Sequence, residues 1–186
     1  MKKIAIAMLL TFFIQATWST APKNQKESMP INEQTGKIQY QQVVHADGTT
    51  RELFFRAVTW MNQYWGNARG MITRQDASNG ILEAEVKFDI DPRDNHMLLD
   101  EQGEEKRASY MLTLQLRDGR YRYTIEQVKL LRKKPFPLEN WMNPQSDQYE
   151  SRNIHVLQYI HQEIQTVIES MKQGMSPEEE YDDDDW

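Results

Sequence analysis

Two carboxylates one residue apart, Glu83 and Glu85, are the first residues whose spacing suggests chemistry. They sit in a run where Leu82, Ala84, Val86, Phe88 and Ile90 alternate with Glu83, Glu85, Lys87 and Asp89. On a strand both carboxylates face the same side, about 7 Å apart. An inverting glycosidase holds its two carboxyl groups at a similar separation, roughly 6.5–9.5 Å. Such a pair also needs a cleft and one carboxyl whose pKa is raised. A flat alternating strand supplies neither, and cross-strand ion pairs with Arg117, Arg120 or Arg122 account for the same acids. Ion pairing is the expectation.

Other candidates weaken on the same kind of inspection. His155 and His161 are six residues apart in a helical pattern, which puts them on different faces and prevents them from sharing a metal. His45 and His96 stand near turns without partners. Asp89, Asp91 and Asp94 hint at a calcium loop, but Pro92 interrupts them and the glycine and distal glutamate of such a loop are missing. No G-x-S-x-G or S-x-x-K motif supports a serine nucleophile, and no glycine-rich loop would cradle a phosphate. No cofactor, catalytic or metal-ligating residue is therefore assigned. Trp60, Tyr64 and Trp65 fit a helix face and read as packing. Trp141, Met142 and Tyr149 occur where no period demands them. If exposed they form a partner-contacting patch, because aromatics and methionine are enriched at interface cores.

The elements that must position these residues can be read from period and punctuation. Residues 37–43 alternate in a β-prone run that ends at Asp47-Gly48. Thr49 or Thr50 caps a helix with Glu52 in its first turn. Leu53, Phe54, Ala57, Val58, Met61, Tyr64 and Trp65 give that helix an apolar face, and Gly66-Asn67 stops it. Four strands follow: residues 70–75, the run through Glu83 and Glu85, the run through Tyr110, Leu112, Leu114 and Leu116, and a last one starting at Tyr121. Asp118-Gly119 joins the last two as a hairpin. In the fourth, Tyr121, Tyr123 and Ile125 share one parity while Val128 and Leu130 take the other, which implies a bulge near Glu126-Gln127. After Pro135, Pro137 and a loop to about Tyr149, residues from Ile154 to Met171 repeat at helical spacing. Gly174 and Pro177 read as its C-cap and breaker. Strand, helix, four strands, helix is an α+β order that places an antiparallel sheet under two helices on one face.

Composition bounds the setting. Lys2 and Lys3 precede an apolar run from Ile4 to Ile14, and Ser19-Thr20-Ala21 supply small residues. This is the layout of a signal peptide over 1–21, cleaved after Ala21 or Ser19. The expected location is periplasmic or secreted, with no stable membrane insertion once the leader is removed. The chain has no cysteine, so an exported domain must rely on its core without disulfides. Residues 22–36 read as a flexible linker, 37–174 as one domain and 175–186 as a disordered acidic tail. The formal charge is −6. Setting aside Lys2, Lys3 and the seven carboxylates of the tail leaves about −1, so no basic field attracts nucleic acid.

The segment Arg51-Glu52-Leu53 … Ala57 … Trp60 and the turn Asp76 … Gly80-Ile81 resemble a domain of unknown function. It is common in exported Bacteroidetes proteins and has a TATA-binding-protein-like fold. The likeness covers roughly residues 37–131. It implies the same strand and helix order and an exported location, and brings no activity or site residues with it. A DNA-binding saddle would need apolar wedges and bases on the open face, whereas acids and bases interleave here. Fold alone assigns no function.

These readings converge on an exported, non-enzymatic binding domain. Its partner would be a protein, peptide or envelope component, met by the Trp141 loop or by the face bearing Glu83, Glu85, Arg117, Arg120 and Arg122. A hydrolase of glycans or peptides is the rival from another class. A structural piece of a larger exported assembly, marked by a free sheet edge, is a third possibility.

Overall fold

A computed structural model describes residues 28–90, 107–132, 134–149 and 151–177. The leader at 1–21, Asp91, Asp94, His96 and the acidic run from Glu178 onward lie outside the described residues. The elements are β1 (Ile31–Asn32), β2 (Lys37–His45), α1 (Thr50–Trp65), β3 (Ile72–Asp76), β4 (Ile81–Asp89), β5 (Arg107–Arg117), β6 (Arg120–Leu131), β7 (Phe136–Pro137), α2 (Glu139–Met142) and α3 (Ile154–Gly174). All pairings are antiparallel. The sheet runs β1-β2-β6-β5-β4-β3, and β7 also pairs with β6.

Alternation sets which way the sheet faces. Ile38, Tyr40, Leu82, Ala84, Val86, Leu112, Leu114, Leu116, Tyr121, Tyr123 and Ile125 are all buried on one side, where α1 and α3 cover them. Leu53, Phe54, Ala57, Trp60 and Met61 of α1 and Val156, Ile160, Ile164, Val167, Ile168 and Met171 of α3 complete that core. Among the described residues, the opposite face of the sheet carries no helix. The expected α+β arrangement is the one observed.

Local chemistry explains the joints. Thr49 and Glu52 form a reciprocal capping box at the start of α1, satisfying two amides that the first turn leaves unpaired. Hydrogen bonds from the Thr49 backbone and hydroxyl hold the Glu52 carboxyl below its ordinary pKa. Asp118, at the β5–β6 tip, accepts from the Thr50 amide at 2.7 Å and hydroxyl at 2.8 Å. The tip is thereby fastened to the positive end of α1. Gly119 donates to Gly48 O and accepts from Ala46 N, drawing the β2–α1 turn to the same point. The bulge in β6 is also present. Ser109 pairs with Lys129 and Met111 with Glu126, and Gln127 has φ 56. The extra residue lets Ile125 and Val128 both face the helices.

Four expectations are corrected. The end of the 22–36 linker is structured: Ile31–Asn32 pair with Lys37 and Ile38, and Met29 is buried. Asn32 makes the reversal by accepting from the amides of Gln34 and Thr35 through its side chain. Gly70 belongs to a 3-10 turn, Ala68–Gly70, and β3 begins at Ile72. Gly174 is helical, and a Cβ there would sit 2.6 Å from Trp60 Cδ1. It is a glycine because α1 and α3 touch there, with no left-handed turn involved. Met175, assigned to the disordered tail, is 1 % exposed and packs in the core.

Candidate functional site

The polar face is built from rungs, because antiparallel register places alternate residues of neighbouring strands side by side. Arg117, Arg120 and His45 make the first rung, at the hairpin tip. Gln115, Arg122 and Val43 make the second. Glu83, Thr113, Thr124 and Gln41 form the third, and Glu85, Met111, Glu126 and Gln39 the fourth. Charge is thus sorted along the strands, with guanidiniums at the tip and carboxylates toward the far end.

This sorting overturns the expected pairing of Glu83 and Glu85 with Arg117, Arg120 and Arg122. The acids find nearer cations on their own side. Arg74 on β3 reaches Glu83 at 3.6 Å, while Lys87 and Lys129 reach Glu85 at 3.0 and 3.7 Å. Gln39 donates to Glu126 at 3.1 Å and Gln41 to Thr124 at 3.0 Å. The Lys87 hydrogen bond, helped by the charges of Lys87 and Lys129, holds the Glu85 carboxyl below its ordinary pKa. A general acid requires the opposite shift. Glu83 and Glu85 are therefore brought together as the sequence implied, but as two ion-paired groups on an open face.

At the tip the balance differs. Arg122 donates to Gln115 through both Nε and a terminal nitrogen. Arg117 and Arg120, both exposed, meet no carboxylate among the described residues. They face each other directly across the hairpin, an arrangement that costs energy unless an anion lies between or above them.

The Trp141 loop does not form the expected patch. Trp141 is 5 % exposed, with its ring 5.2 Å from that of Phe136 and the Arg132 guanidinium 5.6 Å from its centre. The cause is a corner that no helical or strand period announces. Beyond the bulge, β7 pairs with Lys129 and Leu130, Leu138 N donates to Val128 O, and Glu139 accepts from Ile38 N at 3.0 Å. Met142 and Tyr149 are half-buried. The large apolar side chain that sequence reasoning missed is Phe55, 72 % exposed on the outer side of α1. Its position off the apolar stripe was the available signal.

His161 is buried and its Nδ1 lies 2.8 Å from the Tyr40 hydroxyl, while His155 is exposed. Among the described residues no three His, Asp or Glu side chains are grouped as metal ligands. On the helix side of the β2 edge a cleft of about 280 Å³ is lined by Val44, Ala46, Tyr121, Lys172, Met175 and Pro177, among others. Burial pushes the Tyr121 hydroxyl up to about 12, so it stays protonated at neutral pH.

Comparison with known proteins agrees with this architecture. A family model described as a domain of unknown function (DUF4468) with TBP-like fold matches residues 40–130. The crystal structure of a DUF4468 family protein from Bacteroides ovatus superposes with a TM-score of 0.61 at 11 % identity, covering 80 % of this chain and 91 % of that one. A TBP-like protein from Parabacteroides distasonis gives 0.58 at 14 % identity, covering 80 % and 97 %. At these identities the likeness is one of fold. No curated protein matches the chain.

Proposed function

We propose, for a chain whose residues 40–130 match the model of the DUF4468 family with its TBP-like fold, a non-enzymatic binding role exercised through the open face of the sheet. The partner is an acidic segment of a protein or peptide, or an anionic envelope component, met at the tip by Arg117, Arg120 and Arg122. The observation that carries this reading is the contrast along one face. Arg74, Lys87 and Lys129 each have a carboxylate, while Arg117 and Arg120 have none among the described residues. Guanidiniums present a planar fork suited to carboxylate and phosphate oxygens, and such groups at a flat surface are recognition elements.

The leader-like segment at 1–21 supports an exported location, where partners come from the envelope or the exterior. A hydrolase receives no support from Glu83 and Glu85, which lie on an uncleft surface with the Glu85 pKa lowered. Nucleic acid is disfavoured because carboxylates occupy half of the same face.

Crosslinking in the native envelope, followed by capture and mass spectrometry, tests the proposal. The wild type should yield a reproducible acidic partner that disappears in Arg117→Glu/Arg120→Glu. Retention of the partner by that variant, or a clean partner-free monomer from the wild type, would remove the arginine tip as the binding surface.

A further inference from the structure

We propose that the free stretch of β2 is a contact between two copies of this chain. The copies join their β2 strands antiparallel about a two-fold axis through Val43, and one sheet continues into the other. The inference is independent of what the arginine tip binds.

The direction of the backbone groups fixes the frame. Gln39 N donates outward, to Pro30 O beside β1, whereas Ala46 N donates inward, to Gly119 O at the β5–β6 tip. Backbone groups alternate in direction along a strand. The amides and carbonyls of Gln41, Val43 and His45 therefore point off the edge, while those of Tyr40, Gln42 and Val44 serve the ladder with β6. Pro30 closes the stretch at one end. At the other end the chain bends toward its own tip, where Gly119 N also donates to Gly48 O. Residues 41–45 are left, with Val43 at their centre. Gln41, Gln42, Val43 and His45 are exposed.

A second copy fits because this frame is symmetric about its middle. With Val43 facing Val43, and Gln41 facing His45 on either side, every outward donor meets an outward acceptor. The exposed valines cover each other on the open face, and Gln42 meets Val44 on the helix face. Lys172 is drawn inward, onto Gln42 at 2.8 Å and over the Tyr123 ring at 5.8 Å. Charge also favours a copy. The rung Arg117, Arg120, His45 continues into Gln41, Thr124, Thr113 and Glu83 of the other copy, so each arginine end runs into a glutamate end. The two Arg122 positions flank the axis about 14 Å apart, beyond the Debye length of ~8 Å at physiological salt. A two-fold contact of this kind uses up the edge and stops at two copies.

The test uses the chain as its native host accumulates it. In sedimentation, the mass should rise from one copy toward two between about 5 and 500 µM, the weak range suited to so small a contact. Over that range the amides of Gln41, Val43 and His45 should gain protection from hydrogen exchange, with Gln42 and Val44 protected throughout. Val43→Lys sets two ammoniums face to face and should weaken the dimer by about tenfold or more. Mixing it with Val43→Glu should restore association, which a folding defect could not do. The chain has no cysteine, so introduced ones report register. Val43→Cys should form a disulfide dimer, since residues opposed in a hydrogen-bonded pair lie about 5.5 Å apart at Cα. Gln41→Cys and His45→Cys should each stay reduced alone and crosslink when mixed. A monomer at every concentration would overturn the inference. Protected Gln41, Val43 and His45 amides in that monomer would assign the edge to another segment of the same chain, and unprotected ones to a strand of a different protein. A dimer that ignores Val43→Lys, or cysteines that crosslink alike alone and mixed, would overturn it by placing the contact elsewhere.

Discussion

Asp76 closes the β3–β4 turn by accepting from Arg74, Ser78 and both the amide and side chain of Asn79. These bonds, the Asn79 side chain foremost, hold its carboxyl at about 2 against an ordinary 3.8. A carboxyl depressed in the folded state contributes stability that is present above its unfolded pKa and lost as pH falls through the folded one. Glu52, Glu85 and Asp118 shift in the same direction. Thermal melts should therefore show the wild type losing stability between pH 4 and pH 2 (the window set by the two Asp76 values) more steeply than Asp76→Asn. Equal slopes would mean that the turn does not carry this share. Gly174 makes a second prediction with an unusual sign. In an open helix, alanine would be preferred over glycine by up to about 1 kcal/mol. Here the added methyl meets the root of the Trp60 ring, and overpacking costs about 1–3 kcal/mol. Gly174→Ala should lower the denaturation midpoint, and a rise would show that Trp60 has room to yield. The sequence displays this glycine but not the indole beside it, which is why it reads as a helix stop.

Elements with a strong period were legible and those without one were not. β4 and β5 announce themselves by strict alternation, and the parity change between Ile125 and Val128 located the β6 bulge to the residue pair where it occurs. Gln127 itself carries φ 56, a left-handed conformation that costs a non-glycine residue about 1–2 kcal/mol. Gln127→Gly should raise stability by about 0.5–1 kcal/mol in urea unfolding once the unfolded-state entropy is set against that relief, and Gln127→Val should lower it. Stabilisation by valine would exclude the bulge. β1, β7 and α2 left no comparable trace. Two paired residues or a single helical turn have no period, and their existence is decided by what they dock on. Trp141 is buried because Phe136, Leu138 and the bulged end of β6 make a corner for it, contacts that no local reading supplies. Half of the candidate site was legible in the same sense: residues sharing the polar face were identifiable by parity. Which rung each occupies depends on register between strands, and that decided which cation meets which acid.

At the scale of the molecule the sheet has two differently protected edges. β3 is five residues long, carries Arg74 and Asp76, and changes register against β4 between Ile72 and Arg74. β2 spans Lys37–His45, and among the described residues only its first part is covered, by β1. From Gln41 to Val44 its outer side has neither lysine nor proline, and Val43 is 52 % exposed. Edges of that kind pair with other chains unless a charge is placed on them. Val43→Lys should leave the unfolding free energy within about 0.5 kcal/mol of the wild type, as for most surface changes. It should also raise the concentration at which light scattering appears on heating. Unchanged scattering would show that the edge is blocked by something else. The same strand has a further consequence in time. Gln39 bonds to Glu126 across 87 positions of sequence, so β2 is synthesised long before the strand that completes it. At about 5–20 residues per second, β2 waits roughly 4–17 s with its β6 side open and only its first residues covered by β1, whereas β5 and β6 close on each other almost as soon as both exist. Through that interval the glutamine- and valine-rich strand is the stretch of the nascent chain most in need of shielding.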